Sequence, residues 1–418
     1  MAYESSEIMF AAALLCKPKP EDYANTENLK RFMIKAKKKV ETSPQLVQFG
    51  NKAIENGFIS LMDEGSSKML ADMAGGISAA IAVRRYMGIN QSTNVVSYMT
   101  GNIWPKEVEK FKVSAFGFQD YNSADVIVTA DKKTYYGISL KKKRKSQDAS
   151  PTLINKAFDS LLVGREFDDT KKKLVEARVN YFADIVIEAV SKNIILKKDI
   201  KNFDSLVISN KKELFEAKNR DRGQFDRSYI DTKGYGTAPD GYQSRNTNDS
   251  KSMRFFVNSK LAERDNELWK AFLKVLNDNV ELFSDSLLNI ILKVKLFEKM
   301  DSKDLGKFKF DFALVTGVGN VRGDKVDVGR SEVIGLSTTL CGLTRLEEQN
   351  RNQGYRVIVD DVKSASSKGA KVFLQLVRGS LTLLDLEIRY KGSFTPQPQF
   401  QATLNKRFVE FLKRECDL

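Results

Sequence analysis

The 418-residue sequence predicts an α/β (α+β) protein, with a mixed sheet flanked by helices and a further mixed domain that has a β-rich part. Three observations predict this class. Apolar residues recur at helical spacing over 66–86. Apolar and polar residues alternate over 125–141, as in two paired strands. After Phe308, short apolar and β-branched runs predict strands at 310–316, 356–359, 372–377 and 381–391.

Helical periodicity predicts the remaining elements. We expect helices over 5–15, 27–40, 45–62, 66–86, 152–163, 168–198, 210–218, 262–300 and 402–415, and a further strand over 94–100. The Gly75-Gly76 pair inside one of these helices indicates close packing or a break.

The length exceeds that of one ordinary hydrophobic core, so we expect several domains. Composition and periodicity divide the chain into a helical segment at 1–43, an α/β domain at 44–215, a polar loop or linker at 216–260, and a helical then β-rich domain at 261–418. The polar segment contains arginines and tyrosines, which could stack on bases or could form a flexible junction.

The charge predicts the class of partner. Lys and Arg number 68 against 54 Asp and Glu, which gives a net charge of +14. This excess favours nucleic acid, and a lysine-rich proteome is the alternative explanation. We expect no membrane partner, because the basic residues are spread over many segments and no stretch is long enough to span a bilayer. We also expect a cytoplasmic location, because the N-terminal segment lacks the charge pattern of a secretory signal.

The absence of histidine excludes several classes of enzyme. Ser-His-Asp and Cys-His nucleophiles and imidazole zinc sites all require it. A metal would therefore have oxygen ligands, which suit Mg²⁺ or Mn²⁺. Cys16, Cys341 and Cys416 are far apart and form no Cys-x-x-Cys pair, so we expect reduced cysteines.

The most informative motif lies in the two strands over 125–141. Asp125 opens the first strand, and the second ends in Ser139-Leu140-Lys141. Because side chains alternate, Ser139 and Lys141 should project from one face with Gly137, while Ile138 and Leu140 enter a core. We expect Gly137 to leave room for a ligand.

These residues resemble the PD-(D/E)xK nuclease superfamily, which has the restriction-endonuclease-like fold. Asp125 matches the motif's Asp, and Ser139-Leu140-Lys141 matches (D/E)-x-K with serine in place of the acid. The resemblance covers roughly residues 55–165, where helix, strand, strand and helix form the core unit. It implies a Mg²⁺- (or Mn²⁺-) dependent deoxyribonuclease, in particular an endonuclease of restriction or phage type.

The resemblance also implies roles for single residues. Asp125 and the Leu140 carbonyl would bind the metal, Lys141 would lie at the attacking water, and Ser139 would contact the metal weakly or through water. A third acid would come from an upstream helix. Glu64 is the first choice, with Glu55 and Glu7 as alternatives.

Two basic segments are candidates for nucleic-acid binding. Lys142, Lys143, Arg144 and Lys145 follow the motif directly, and Arg389 and Lys391 lie on the charged face of the 381–391 strand. Both could instead be solvated surface. Double-stranded DNA is the expected partner, and a homodimeric state is left open. A binding protein that has lost catalysis, or a basic structural or assembly protein, are the alternatives.

Overall fold

The structure is a computed structural model, and it describes residues 5–42, 46–48, 66–90, 92–100, 104–109, 124–148, 154–157, 165–194, 196–197, 202–209, 256, 259–260, 263, 267–291, 308–363, 371–389 and 399–416. The chain forms two compact units. The first contains residues 1–152, 288–351 and 409–418, and the second contains 153–287 and 352–408. The predicted segments run consecutively, whereas these units interleave because the chain returns to the first unit at 288.

The described helices of the first unit are α1 (Ser5–Cys16), α2 (Thr26–Thr42), α3 (Ser67–Tyr86) and α8 (Leu336–Gln349), with a 3₁₀ turn at Pro20–Tyr23. Its described strands are β1 (Leu46–Gln48), β2 (Val96–Met99), β3 (Val126–Thr129), β4 (Thr134–Lys143), β6 (Lys309–Arg322), β7 (Lys325–Val328) and β8 (Glu332–Gly335).

These strands form one mixed sheet in the order β1-β2-β3-β4-β6-β7, with β8 also paired to β6. Strands β2, β3 and β4 are antiparallel neighbours, and β6 lies parallel to β4. The β4–β6 ladder runs from Thr134 opposite Lys309 to Lys143 opposite Val318. Strand β4 therefore lies inside the sheet, held by β3 on one side and by β6 on the other.

Helices cover one face of this sheet with an apolar core. The core includes Phe10 of α1, Phe32 of α2 and Ile77 of α3, and these pack with Val126 and Ile138 of the sheet. A second cluster contains Trp104, Tyr135, Phe310, Phe312 and Leu336. This mixed helix-and-strand architecture agrees with the predicted α/β class.

Glycines allow α3 to approach its neighbours closely. A Cβ atom at Gly76 would lie 2.8 Å from the Phe10 backbone nitrogen in α1. A Cβ atom at Gly319 would lie only 2.0 Å from the Gly75 nitrogen. The close packing that the Gly75-Gly76 pair predicted is confirmed, and α3 continues through the pair without a break.

The second unit contains an antiparallel sheet in the order β5-β12-β11-β10-β9. Its strands are β5 (Ile154–Ala157), β9 (Tyr355–Lys363), β10 (Lys371–Arg378), β11 (Leu381–Arg389) and β12 (Gln399–Leu404). Its described helices are α4 (Asp168–Ser191), α5 (Phe203–Ser209) and α6 (Glu267–Asp278), with a 3₁₀ turn at Arg165–Phe167. Helices α7 (Val280–Ile291) and α9 (Lys406–Glu415) contain the boundaries between units.

Parts of three predicted helices form strands because they pair with distant strands, although the last of these helices is otherwise confirmed as α9 over Lys406–Glu415. Residues 46–48, expected to begin a helix over 45–62, form β1 beside β2. Residues 154–157, within the helix expected over 152–163, form β5 beside β12. Residues 402–404 end β12 instead of beginning the last helix. Long-range pairing overrides local periodicity in all three. The segment 210–250, which includes a predicted helix and most of the polar loop, lies outside the described residues.

The cysteine prediction is wrong for two of the three residues. Cys341 of α8 and Cys416, which follows α9, form a disulfide across 75 residues of sequence, with their Cα atoms 6.0 Å apart. Sequence spacing gave no sign of this pairing because the tertiary fold creates it. Cys16 is free, and burial raises the pKa of its thiol to about 11. Among the described helices, none has the length and apolar character needed to cross a membrane.

Candidate functional site

Asp125 lies at a bend directly before β3, and the backbone of β4 fixes its position. Its own N–H donates to the Ile138 carbonyl at 2.7 Å. Its carboxylate Oδ2 accepts a hydrogen bond from the Leu140 N–H, also at 2.7 Å. The carboxylate therefore continues the β3–β4 ladder where the backbone of β3 has bent away.

The same hydrogen bonds show where the Leu140 carbonyl points. In an extended strand, the N–H and C=O of one residue face the same neighbouring strand, and residues two apart share that direction. The Ile138 carbonyl and the Leu140 N–H both face Asp125. The Leu140 carbonyl must therefore face the Asp125 side as well. The fold thus places the Leu140 backbone beside the Asp125 carboxylate. Metal binding by this carboxylate and the Leu140 carbonyl stays a prediction.

The alternation predicted for β4 is confirmed. Ile138 is buried, and Leu140 packs against the core that contains α1 and α3. Ser139 and Lys141 are half-buried and, by alternation, are directed to the opposite face. Strand β3 pairs Val126 with Ile138, and the two hydrogen bonds of Asp125 to the Ile138 carbonyl and the Leu140 N–H place it beside this stretch of β4. Asp125, Ser139 and Leu140 are therefore neighbours in the first unit.

The expectation for Gly137 is wrong. A Cβ atom there would lie 2.5 Å from the Phe310 ring and 3.2 Å from the Ala124 side chain. The Phe310 ring stacks on Trp104, with ring centroids 5.3 Å apart. A core aromatic ring fills the space that the sequence seemed to leave for a ligand.

A cavity of about 600 Å³ lies where β4 ends, between β4, β6 and α3 of the first unit. Five basic residues line it: Lys68, Lys141, Lys142, Lys143 and Arg144. Glycines from both α3 and β6 also line it, and these buried residues allow the helix and the strand to approach each other closely. The first turn of α3 contributes Ser67 and Lys68, so the positive end of the helix dipole faces the cavity. These features suit a phosphate group.

Asp72 is the one acid among the described residues that line the cavity. Its side chain is 7% exposed, and it accepts a hydrogen bond from the Ser5 hydroxyl of α1. The Lys142 ammonium lies 3.1 Å from its other carboxylate oxygen. Lys142 itself is 48% exposed. An ion pair inside a basic cavity thus links α3 to the end of β4.

Sequence patterns did not indicate that Asp72, Lys68 and several glycines line a cavity. Asp72 lies on the face of α3 that contacts α1. The sequence alone does not define the distance from Asp72 to Lys142. The glycine-rich run 316–323 forms the end of β6 and the turn that follows it, where Gly323 has a positive φ of 58°. Its part in lining the cavity follows from the parallel pairing of β6 with β4.

The structure separates the other predicted site residues. Lys142, Lys143 and Arg144 line the cavity, whereas Lys145 lies in the exposed turn beyond it. Glu64, Glu55 and Lys391 are outside the described residues, as is the side chain of Arg389 at the end of β11. Glu7 lies in the first turn of α1. Which acid completes a site with Asp125 therefore stays a prediction.

The predicted strand 381–391 is confirmed as β11 over Leu381–Arg389, with Leu384, Leu386 and Ile388 buried. On the opposite face of β11, Asp385 makes side-chain hydrogen bonds to neighbouring residues. The Asp385 carboxylate accepts hydrogen bonds from the Asn405 amide at 2.9 and 3.0 Å and from the Gln375 amide at 3.3 Å. Asp385 is therefore engaged within its own sheet.

The described residues fit a magnesium site in part. Asp125 supplies one carboxylate, Leu140 a carbonyl and Ser139 a hydroxyl, and Mg²⁺ commonly uses one or two carboxylates together with waters and substrate phosphates. No group of three or more Asp, Glu, Cys or His side chains that could hold a metal occurs within the described ranges. A hard cation at Asp125 would therefore need ligands from the substrate, from solvent or from another acid.

Comparison with protein-family models, with curated proteins and with solved structures found no match to this chain.

Proposed function

We propose that the first unit is a Mg²⁺-dependent deoxyribonuclease that hydrolyses phosphodiester bonds beside strand β4. One observation carries the proposal. The same strand holds the Asp125 carboxylate through the Leu140 N–H at 2.7 Å and, from Leu140 to Lys143, borders a cavity with five basic residues. An acid fixed by backbone and a cluster of cations at one strand end are the components that phosphodiester hydrolysis requires.

Each component has a separate task. Asp125 and the Leu140 carbonyl would hold the cation, and a Mg²⁺ ion there supplies charge neutralisation at the phosphate and a more acidic bound water. Lys141 would orient the attacking water or stabilise charge that develops on the phosphate. Lys142, Lys143 and Arg144 would bind the flanking phosphates.

The order of elements supports the restriction-endonuclease-like fold as part of this proposal. Helix α3 precedes β3 and β4, and helices cover the mixed sheet. The helix expected at 152–163 does not follow, because residues 154–157 form β5 in the second unit. The proposal therefore depends on the local geometry at β4 more than on the complete core unit.

A cleavage assay tests the proposal. Wild type should nick duplex DNA with Mg²⁺ or Mn²⁺, and EDTA should stop the reaction. Asp125→Asn keeps an oxygen that can accept the Leu140 N–H but removes the charge, so cleavage should fall by at least about 100-fold. Lys141→Ala should also lose cleavage. Both variants should bind DNA within about threefold of wild type, because all five cavity cations remain in Asp125→Asn and four of the five remain in Lys141→Ala. Full activity in Asp125→Asn would refute the assignment.

The second candidate is a nucleic-acid-binding protein without catalysis. The serine at position 139 favours it, because serine stands where the motif usually has a carboxylate ligand. Ser139→Glu distinguishes the two. If wild type is active, the variant should retain or increase cleavage and bind Mn²⁺ more tightly. If neither protein cleaves with any divalent metal but both bind DNA, the binding function stands. A binding constant that does not change with salt would leave a structural or assembly role.

A further inference from the structure

We infer that Asp72 is an internal competitor for the phosphate-binding Lys142, so that DNA must displace a built-in carboxylate to use this lysine. The inference rests on the phosphate-binding part of the proposed function. It adds a residue that weakens binding and thereby sets the affinity of the cavity.

Asp72 is a buried acid in a basic cavity. Among the described residues of the lining, it is the one acid beside five basic residues, so its charge opposes theirs. It is 7% exposed, and burying a carboxylate is costly unless the group is paired. The Ser5 hydroxyl and the Lys142 ammonium provide that pairing. The carboxylate is therefore fixed in place from two sides.

Lys142, the partner of Asp72, is the more exposed member of the pair. Lys142 is 48% exposed, and its long side chain carries a point charge that can turn between acceptors. A phosphate oxygen in the cavity offers the same kind of acceptor as Asp72. Because Asp72 is held by Ser5 and Lys142 is not otherwise buried, the lysine is the partner that can move.

The consequence concerns affinity. Any binding that recruits Lys142 must first weaken a contact of 3.1 Å with Asp72. Removing the carboxylate should free the lysine and strengthen binding by about two- to fivefold, which is the range that an ion pair with an exposed partner supports.

The test is a double-mutant cycle on DNA binding. The full chain and its Asp72→Asn, Lys142→Ala and double variants are titrated against a short fluorescein-labelled duplex in EDTA, so that no cleavage occurs. Asp72→Asn should bind more tightly and Lys142→Ala more weakly. The double variant should match Lys142→Ala, because the gain operates through the lysine.

Two controls complete the design. Glu27→Gln removes one negative charge from an exposed side chain of α2 that is not part of the cavity lining, and it should leave DNA affinity unchanged. Asp72→Ala, which also loses the Ser5 contact, should reproduce the gain. Thermal unfolding of each variant identifies any that no longer folds.

The outcomes separate this inference from the proposed function. Unchanged or weaker binding by Asp72→Asn, with Lys142→Ala still weakened, would overturn the competition alone. An increase in DNA affinity that persists in the double variant would also overturn it. Asp72 would then act by electrostatic repulsion of the DNA and not by competing for Lys142. No loss in Lys142→Ala would instead refute the cavity as the DNA site.

Discussion

Two aspartates flank strand β4, and they are held in different ways. Asp125 is fixed by the Leu140 backbone N–H at 2.7 Å, so its position depends on the sheet itself. Asp72 is fixed by side chains, and one of these is the half-exposed Lys142. A carboxylate fixed by backbone suits a ligand site that must keep its geometry. A carboxylate paired with a movable lysine suits an interaction that a ligand can replace.

Under the proposed function, catalysis would take place on the Asp125 side of β4 and binding on the cavity side. This division agrees with the positions of the two acids, since Asp125 contacts β4 from the start of β3 and Asp72 contacts it from α3. It also makes the two sides separable by mutation, since changes on the cavity side should alter affinity and changes at Asp125 should alter turnover.

Among the predictions that sharpen this comparison, the largest change in DNA affinity should come from mutating the cavity cations. Lys143→Ala with Arg144→Ala should weaken DNA binding by about tenfold, and the slope of log K against log salt should fall by about two units. Turnover at saturating DNA should change little, because Asp125 is untouched. Anisotropy titrations across a salt series, with kcat and KM from cleavage, measure both quantities.

Lys145→Ala is the matched control for these cations. Lys145 lies in the exposed turn, and its contact with Asp148 uses the backbone N–H, which alanine retains. Its affinity should stay within about twofold of wild type. An equal loss in the control would show that the effect is general charge and not the cavity.

The next effect concerns the packing that holds the cavity in shape. Gly319→Ala would place a Cβ atom 2.0 Å from the Gly75 backbone nitrogen, which cannot yield as a side chain can. We expect a loss of about 1–3 kcal/mol in the free energy of unfolding, measured with urea, together with weaker DNA binding.

Gly75→Ala provides the control for this packing. Its nearest contact would be 3.8 Å, from the Gly317 carbonyl oxygen, which is an ordinary van der Waals distance. Alanine also favours a helix by up to about 1 kcal/mol over glycine, so stability should be unchanged or increased. A similar loss in both variants would contradict the close approach of α3 and β6 at Gly319.

The smallest effect should come from a third aspartate, Asp311, to which we assign neither of the two proposed roles. Asp311 of β6 accepts a hydrogen bond from the Tyr86 hydroxyl at 2.6 Å, and burial raises the pKa of its carboxyl from 3.8. A carboxyl with a raised pKa stabilises the fold fully below its unfolded pKa, and this contribution is lost as pH rises through the folded pKa.

The free energy of unfolding should therefore contain a component that decreases as pH rises above 3.8, and Asp311→Asn should lack it. Urea unfolding of both proteins across a pH series measures the difference. DNA binding and cleavage should not change, which distinguishes Asp311 from Asp125 and Asp72. A stability difference that is independent of pH would contradict the assignment.

Much of the fold was predictable from local patterns. The apolar stripe over 66–86 predicted α3, and Ser66 caps it by accepting the Met69 N–H at 3.4 Å. The alternation over 125–141 predicted β3 and β4 and the faces of Ile138 and Leu140, because a strand has a fixed period of two. The motif also predicted that Asp125 and Leu140 lie together.

The remaining features depend on distances that no local pattern contains. Strand β5 forms because β12, about 240 residues later, offers it a partner. The space beside Gly137 is filled by Phe310, which arrives only through the parallel pairing of β6. Asp72 meets Lys142 across 70 residues of sequence. These contacts arise from the order of strands, which the sequence pattern alone does not define.

The location of a bound cation tests the central claim most directly. Crystals of the full chain with a short duplex and Mn²⁺ should give an anomalous peak within about 2.0–2.3 Å of the Asp125 carboxylate and the Leu140 carbonyl, because Mn²⁺ takes the hard oxygen ligands that suit Mg²⁺. The peak should be absent in crystals of Asp125→Asn. A peak at Asp72, or an ordered duplex in the cavity with no cation at Asp125 at high Mn²⁺, would contradict the account.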